Sequence, residues 1–291
     1  MDAQTHTLEI PDVDLVYEVY PPAAADNGHR PLLMAGHPMD ARGFDTIRTY
    51  FTDRTVIAYD PRGLGRSTRK DGRDDFTPEM HSADLHALVA ALGTGPVDVF
   101  ASSGGAVNAL ALVAAHPDDV GTLVAHEPPL ITLLPDADRV VAAERGFQET
   151  YHAKGFGAGL AKFIALTSVQ GEFTDEYLAQ PDPDPAQFGL PTEDDGNRGD
   201  PLLSGVAGAI TAYRPDVQAL TEASTRVVVA AGVESRNTMT GRAAAEVAEV
   251  LDKPLTMFPS HHGGFLGGDY GYAGEPEAFA AHLHEVLDGP A

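Results

Sequence analysis

The stretch FASSGGA, residues 100–106, decides the fold class, because it has the form of a sharp turn between a strand and a helix. Ala101 and Gly105 lie two positions before and after Ser103, where such a turn crowds the chain and only Gly or Ala fits. A small-residue loop of this kind can also serve only to pack a strand closely against a helix. The pattern favours a nucleophile elbow with Ser103 as the candidate nucleophile.

The segments on both sides of the turn have the composition that an elbow requires. PVDVF, residues 96–100, is a short β-branched run that suits a buried strand. AVNALALVAAHP, residues 106–117, is rich in Ala and Leu and ends in Pro, as expected of a helix and its end. Strand, tight turn and helix therefore follow one another in the required order.

Short apolar runs alternate with helical patterns along most of the chain. We predict strands at 31–37, 55–60, 96–100, 120–127, 225–232 and 255–260, and helices near 77–92, 104–116, 241–251 and 275–287. Alternation at this spacing predicts an α/β fold whose mostly parallel central sheet is flanked by helices on both faces. The opening segment, residues 8–22, reads as an antiparallel hairpin at the edge of that sheet.

The alternation stops between Pro128 and about Ala223, after the strand that ends near Glu127. Helical patterns near 137–153, 157–168 and 201–212 surround an acidic, Pro-rich stretch at 181–200, which we interpret as a solvated loop. We therefore predict a helical cap over residues 128–223, inserted into a core formed by residues 1–127 and 224–291.

Composition excludes several classes of function. The formal charge of −24 argues against binding to nucleic acid or to an anionic membrane, which would need clustered Lys and Arg. The absence of cysteine excludes disulfides, thiolate zinc sites and a cysteine nucleophile. The N-terminal stretch MDAQTHTLEI lacks a basic segment followed by an apolar one, and no apolar run approaches a membrane span. We expect a cytoplasmic protein, with a homodimer as one possible assembly.

A serine hydroxyl is a weak nucleophile at neutral pH, so Ser103 needs a base, an acid that orients the base, and donors for an oxyanion. His262, in FPSHHGGF (258–265), follows the last predicted strand, where a loop can place an imidazole over the elbow. His261 is the alternative candidate for the base. Gly263 and Gly264 directly after His262 provide the backbone freedom that favours His262 as the base.

These motifs together resemble the α/β-hydrolase family. AGHPMD (35–40) stands after a strand where that family has its His-Gly oxyanion loop, and YDPRGLGRS (59–67) is similar to the family's Asp-x-Arg-Gly-x-Gly-x-Ser turn. With the elbow and the terminal histidine, the resemblance covers about 31–126 and 224–288. It implies the α/β-hydrolase fold with an inserted cap.

The oxyanion loop departs from the family pattern at one position. Pro38 stands where Gly is usual, and proline has no backbone N–H to donate. We therefore expect the oxyanion hole to consist of the backbone amides of Met39 and Gly104. Three residues of the 59–67 turn, Asp60, Arg62 and Gly65, are expected to have a structural role.

Two glutamates compete for the role of the acid. Glu234 follows the penultimate strand, where many α/β-hydrolases have it, but falls one residue short of the usual position, which Ser235 occupies. Glu127, in VAHEPP, stands at the end of the strand after the nucleophile helix, and this segment resembles that of zearalenone-type lactonases. A carboxylate there can reach a histidine poised above the sheet. We favour Glu127, so that the catalytic set becomes Ser103, His262 and Glu127.

The resemblance implies a serine hydrolase that cleaves a carboxylic ester or lactone through an acyl-enzyme, without a cofactor or metal. The expected partner is a small apolar ester or lactone. A cofactor-free carbon–carbon bond hydrolase and a non-catalytic small-molecule receptor on the same fold are the alternatives. We expect one or two of six apolar cap residues to touch the ligand: Phe147, Tyr151, Phe156, Phe163, Leu202 and Leu203.

Overall fold

A computed structural model describes residues 3–23, 28–268 and 273–289. Within these ranges one sheet contains the strands β1 (Gln4–Ile10), β2 (Val13–Tyr20), β3 (Leu32–Ala35), β4 (Val56–Tyr59), β5 (Thr68–Arg69), β6 (Val97–Ser102), β7 (Val120–His126), β8 (Arg226–Gly232) and β9 (Leu255–Phe258). Their order is β1-β2-β4-β3-β6-β7-β8-β9, and β5 pairs with β2. The predicted mostly parallel sheet is confirmed, because β3, β4 and β6 to β9 pair in parallel. The predicted hairpin is confirmed as β1 and β2.

The helices are α1 (Pro78–Leu92), α2 (Gly104–Ala115), α3 (Ala137–Lys154), α4 (Phe156–Thr167), α5 (Asp175–Leu178), α6 (Gly208–Thr211), α7 (Val217–Glu222), α8 (Met239–Val250) and α9 (Pro276–Asp288). Local sequence explains where several begin and end. Thr77 caps α1 by accepting a hydrogen bond from the Met80 amide, and Gly93 ends α1 at a φ of 66°.

Alternate strand residues face two separate apolar clusters, one on each face of the sheet. The first cluster joins the strands to α1, α2, α7 and α8, and its strand residues include Leu33, Val99 and Leu123. The second joins the strands to α9, and its strand residues include Met34, Phe100 and Val124. The period of two expected of strands thus buries both faces.

A third apolar cluster holds α3 and α4 together. It contains Phe147 and Tyr151 of α3 and Leu166 of α4, and it also includes Met239 and Ala243 of α8, so it ties these two helices to the core. All six apolar cap residues singled out from the sequence belong to this cluster or pack against it. The cap boundaries at 128 and 223 stay a prediction.

The helix predicted at 201–212 is wrong over its first half. Residues 201–207 form turns and bends, and only Gly208–Thr211 is helical. Gly205 has a φ of 88°, a left-handed conformation that cannot continue a right-handed helix. The apolar residues of this stretch are therefore placed by tertiary packing, as Leu203 is in the third cluster.

None of the helices in the described ranges combines the length and apolar character that crossing a bilayer requires. Residues 1 and 2 of the N-terminal stretch discussed above lie outside those ranges.

The sheet topology indicates where a ligand site can form. From β3 the chain moves to β4 on one side and later to β6 on the other side, so the connections after these strands diverge. Such a reversal leaves a crevice at the carboxyl ends of the strands. Ala35 pairs with Ala101, and Ser102 pairs with His126, so β3, β6 and β7 end at the same edge.

Candidate active site

Ser103 lies at a strained turn between β6 and α2. Its φ of 57° and ψ of −131° fall in a region that residues with a side chain rarely adopt, and such strain costs on the order of 1–3 kcal/mol. The Ser103 amide donates to the carbonyl of His126 (2.9 Å), which fixes the turn against β7. A Cβ atom at Gly105 would lie 2.4 Å from the Ala35 carbonyl oxygen. The small residue at 105 is therefore a steric requirement, and the serine hydroxyl stays partly exposed at the edge of the sheet.

The loop after β3 lies directly against this turn. A Cβ atom at Gly104 would lie 2.9 Å from the His37 carbonyl oxygen, so the two chain segments touch. Within the described residues, the backbone amides of Met39 and Gly104 make no hydrogen bond. Gly104 is also the first residue of α2, whose N-terminus favours negative charge. The two amides expected to bind an oxyanion are thus available as donors.

Asp60 holds the end of the same loop by hydrogen bonds. Its carboxylate accepts hydrogen bonds from the Ala41 amide (3.0 Å) and from the amide and Nε of Arg66 (2.9 and 2.7 Å). A Cβ atom at Gly65, where φ is 55°, would lie 2.7 Å from the Asp60 Cγ. Arg62 makes a buried ion pair with Asp84 (2.7 and 2.6 Å). These contacts agree with the structural role expected for Asp60, Arg62 and Gly65.

Glu127 and His262 are brought together although 135 residues separate them in the chain. His262 Nδ1 lies 2.6 Å from Glu127 Oε2. Glu127 also accepts hydrogen bonds from the Gly232 amide (2.8 Å) and from Thr240 Oγ1 (2.5 Å). The residue follows β7 at a φ of 48°, and its amide donates to the Ala230 carbonyl of β8 (2.8 Å). The backbone of two adjacent strands therefore fixes the direction of this carboxylate.

Glu127 is fully buried, yet its surroundings favour the charged form. Burial alone would raise the pKa of the carboxyl. The positive charge and hydrogen bond of His262, the electrostatic effect of the neighbouring His126 and the Thr240 hydroxyl outweigh burial and hold the pKa well below its ordinary value. The group is therefore a carboxylate at neutral pH, which is the form that orients and stabilises an imidazolium.

The other candidates for base and acid lie in different surroundings. His261 Nε2 donates to the Ala273 carbonyl (3.1 Å), and His261 Nδ1 accepts from the Gly263 amide (3.0 Å), so this ring is bound to its own loop. Glu234 is exposed. In the described part of the chain, no hydrogen bond joins Glu234 to His262, and none joins His262 Nε2 to Ser103.

Two neighbours of Glu127 were missed by the sequence reasoning: His126 and Thr240. Ser102 Oγ lies 3.1 Å from His126 Nδ1, and His126 Nε2 lies 3.8 Å from Glu127 Oε1. The His-Glu pair in VAHEPP was a visible signal for His126. No local signal pointed to Thr240, because it enters the site from α8, 113 residues away.

Helix α3 contributes one further carboxyl group, which is bound by the short helix that touches the elbow. Glu144 of α3 accepts a hydrogen bond from Thr211 Oγ1 of α6 (3.2 Å). Ile210, the residue before Thr211, has its Cγ2 atom 3.3 Å from the position of a Cβ at Gly104. Burial raises the pKa of Glu144 to about 7.

Among the residues that the structure describes, two groups of side chains could hold a metal ion by their spacing, and neither includes Ser103. His86, His116 and Asp119 gather at the end of α2 opposite the elbow. In the second group, formed with His29, the carboxylates of Asp53 and Asp288 already accept hydrogen bonds from Arg54 (3.1 and 2.7 Å). Neither group contributes to the arrangement around Glu127.

Comparison with known proteins agrees with this fold. A sequence profile of a family described as alpha/beta hydrolase fold matches residues 42–191, just over half of the chain. The chain belongs to the alpha/beta hydrolase family. This alpha/beta hydrolase is 28% identical over 293 residues to YraK of Bacillus subtilis (strain 168), named an uncharacterized hydrolase, with 99% of this chain and 97% of YraK covered.

Solved structures share the fold of this alpha/beta hydrolase. An esterase from Thermogutta terrifontis has a TM-score of 0.63 at 20% identity, with 99% of this chain and 98% of the esterase covered. A proline iminopeptidase from Mycobacterium smegmatis has a TM-score of 0.64 at 21% identity, with 98% and 97% covered. The family membership supports a hydrolytic function, while the resemblance to zearalenone-type lactonases stays a prediction.

Proposed function

We propose that this alpha/beta hydrolase is a serine hydrolase that cleaves a carboxylic ester or lactone through an acyl-enzyme. The observation that carries the proposal is the 2.6 Å contact between Glu127 and His262 Nδ1, which lie at the same sheet edge as the strained Ser103. A buried carboxylate bound to Nδ1 leaves the Nε2 of the same ring free to accept a proton.

In the proposed mechanism, His262 Nε2 takes the proton from Ser103 Oγ as that oxygen attacks the substrate carbonyl carbon. The carbonyl oxygen becomes an oxyanion, which the amides of Met39 and Gly104 stabilise. The imidazolium then protonates the departing alkoxide, and the acyl group stays on Ser103. Water, deprotonated by His262, attacks the acyl carbon and releases the acid. Hydrogen bonds of catalytic groups often tighten only when substrate is bound, which accommodates the absence of a Ser103–His262 bond.

A panel of p-nitrophenyl esters and lactones of increasing acyl length tests the proposal. We expect sustained turnover of at least one member, and Ser103→Ala should lower kcat by about 10⁴ to 10⁶ while the variant stays folded. The matched control is Ser204→Ala in the cap, which should keep wild-type turnover. A Ser103→Ala variant that retained a tenth of the activity would remove Ser103 from the mechanism.

The base is tested in the same assay. His262→Ala should match the loss caused by Ser103→Ala, because members of a triad act as a unit. His261→Ala should keep most of the activity, since its ring is bound to the loop backbone. The reverse result would assign the base to His261.

The alternatives predict different outcomes in this panel. A receptor would bind a ligand tightly and release product at most once per protein molecule. A carbon–carbon bond hydrolase would leave the esters uncleaved and act on a diketone. The cytoplasmic location, the homodimer and the apolar character of the substrate stay predictions.

A further inference from the structure

His126 is a fully buried histidine that the proposed mechanism does not use. Its ring packs among four phenylalanine rings, whose centroids lie 5.3 to 6.3 Å away: Phe100, Phe258, Phe265 and Phe279. Burial lowers the pKa of His126 to about 4, so the ring is neutral at the pH where a serine hydrolase works. A neutral imidazole still has one N–H, and its direction matters next to a buried carboxylate.

The contact with Ser102 indicates which nitrogen carries that hydrogen. Ser102 Oγ lies 3.1 Å from His126 Nδ1, and in the described residues it has no other hydrogen-bond partner. If the serine donates to Nδ1, its buried hydroxyl hydrogen is satisfied and Nε2 carries the N–H. The opposite tautomer would leave the serine hydrogen without an acceptor and direct the Nε2 lone pair at a carboxylate.

The Nε2–H of this tautomer faces Glu127. Nε2 lies 3.8 Å from Glu127 Oε1, too far for a hydrogen bond but close enough for a dipole to act on a charge across a dry interior. The His126 ring also stacks on the His262 ring, with centroids 6.0 Å apart. Among the described residues, Glu127 and His262 are the titratable groups that act on His126.

We propose that His126, oriented by Ser102, is a positioning residue that lowers the pH at which His262 becomes an active base. The proposal rests on the proposed function, in which His262 is the base. The direction of this effect of His126 follows from electrostatics. The positive end of the Nε2–H dipole offsets part of the Glu127 charge, so Glu127 stabilises the imidazolium of His262 less strongly. The base therefore loses its proton at a lower pH than it would beside an unopposed carboxylate.

Replacing the histidine tests this effect through the pH profile of kcat/KM. His126→Leu removes the dipole and should move the acidic midpoint of the profile upward by about 0.5 to 1 pH unit. His126→Gln can donate an N–H from nearly the same position as Nε2 and should stay within about 0.2 pH unit of the wild type. Ser102→Ala no longer fixes the tautomer and should lie between the two.

The matched control is Phe279→Leu, which trims an apolar ring packed on His126 without changing a dipole. It should lower the unfolding temperature, as a core truncation does, and leave the midpoint unchanged. A purely structural role of His126 would give the same behaviour for His126→Leu. An unmoved or lowered midpoint in a folded His126→Leu variant would therefore overturn the proposal.

A ¹⁵N-edited NMR titration of the histidine rings needs no turnover, so it separates this proposal from the proposed function. The wild-type spectrum should show His126 as the Nε2–H tautomer, and the titration midpoint of the His262 ring should rise in Ser102→Ala. Observation of the Nδ1–H tautomer would overturn the proposal even if His126→Leu failed to fold. A raised midpoint in a protein that hydrolyses no ester would support it while the proposed function failed.

Discussion

Glu127 is fully buried and Glu144 is half-buried, and the two carboxyls also differ in the number of donors around them. Glu127 accepts hydrogen bonds from His262, Thr240 and the Gly232 amide, whereas in the described residues Glu144 accepts one, from Thr211. The pKa of Glu127 accordingly falls well below its ordinary value, while burial raises the pKa of Glu144 to about 7. The charge of His262 and the surrounding hydrogen-bond donors keep Glu127 ionised despite its burial, whereas Glu144 has one donor and a raised pKa.

The difference assigns the two carboxyls to different tasks. A group that must hold an imidazole in one tautomer and stabilise its charged form has to remain ionised, and Glu127 does so. Burial raises the pKa of Glu144 to about 7, so this group suits contact with a ligand or a structural place between α3 and α6.

The largest expected effect is the loss of kcat when the Glu127 carboxylate is replaced by a neutral amide, compared with the same replacement at Glu144. Glu127→Gln preserves the shape of the side chain but cannot stabilise the imidazolium, and we expect kcat to fall by up to about 10⁴. Glu144→Gln should change kcat by less than about tenfold, because Glu144 makes no contact with His262. Steady-state kinetics on the same ester at pH 8 measures both. If the two variants lost similar amounts of kcat, the different surroundings of the two glutamates would have no effect on catalysis.

A smaller effect on kcat is expected from replacing the threonine that donates a hydrogen bond to each glutamate. Thr240→Val deletes a donor to a buried charge, a loss of about 1.5 to 3 kcal/mol, so kcat should fall by about tenfold or more. Thr211→Val is the matched control, since it deletes the donor to Glu144 and should alter kcat by less than about threefold. Equal losses in the two variants would contradict the special role of the Glu127 contacts.

The pH dependence of stability should have opposite signs at the two sites. Between its ordinary pKa of 4.5 and about 7, folded Glu144 keeps a proton that the unfolded chain has lost, so the free energy of unfolding falls as pH rises. Glu144→Gln lacks this penalty and should gain about 1 to 3 kcal/mol over the wild type between pH 5 and 8. The partial exposure of Glu144 favours the lower end of that range.

Glu127 has the opposite sign because its folded pKa is lowered. Its stabilisation is fully present above the ordinary pKa of 4.5 and is lost as pH falls toward the folded pKa. Glu127→Gln should therefore be most destabilising at neutral pH and less so in acid. Urea unfolding of both variants and the wild type, from about pH 3 to pH 8, measures the two slopes, and parallel slopes would refute the assignment of charge.

The elbow and the sheet could be predicted from the sequence because their constraints are local. Gly105 lies where the backbone at the end of β3 leaves no room for a Cβ atom, and this requirement shows in the sequence as a small residue two positions after Ser103. Strand boundaries and most helix boundaries agreed within a few residues for the same reason, and the helix predicted at 201–212 is the exception. β6 nevertheless continues through Ser102, two residues beyond the predicted end, because its pairing with β7 extends to His126.

The surroundings of the acid could not be predicted, because they depend on distant segments. The choice between Glu127 and Glu234 requires knowing where the loop after β9 places His262. Thr240 and Gly232 reach Glu127 from α8 and from the end of β8, with no pattern that links them along the chain. The half-buried position of Glu144 depends in the same way on how α6 packs against α3.

The most direct test of the Ser103, His262 and Glu127 arrangement is labelling with a fluorophosphonate followed by peptide mass spectrometry. Ser103 Oγ should attack phosphorus with loss of fluoride, giving one adduct per chain on Ser103. The labelling rate should fall by about 10³-fold or more in Glu127→Gln and stay near the wild-type rate in Glu144→Gln. An adduct on another serine, or equal labelling rates in the two variants, would contradict the account.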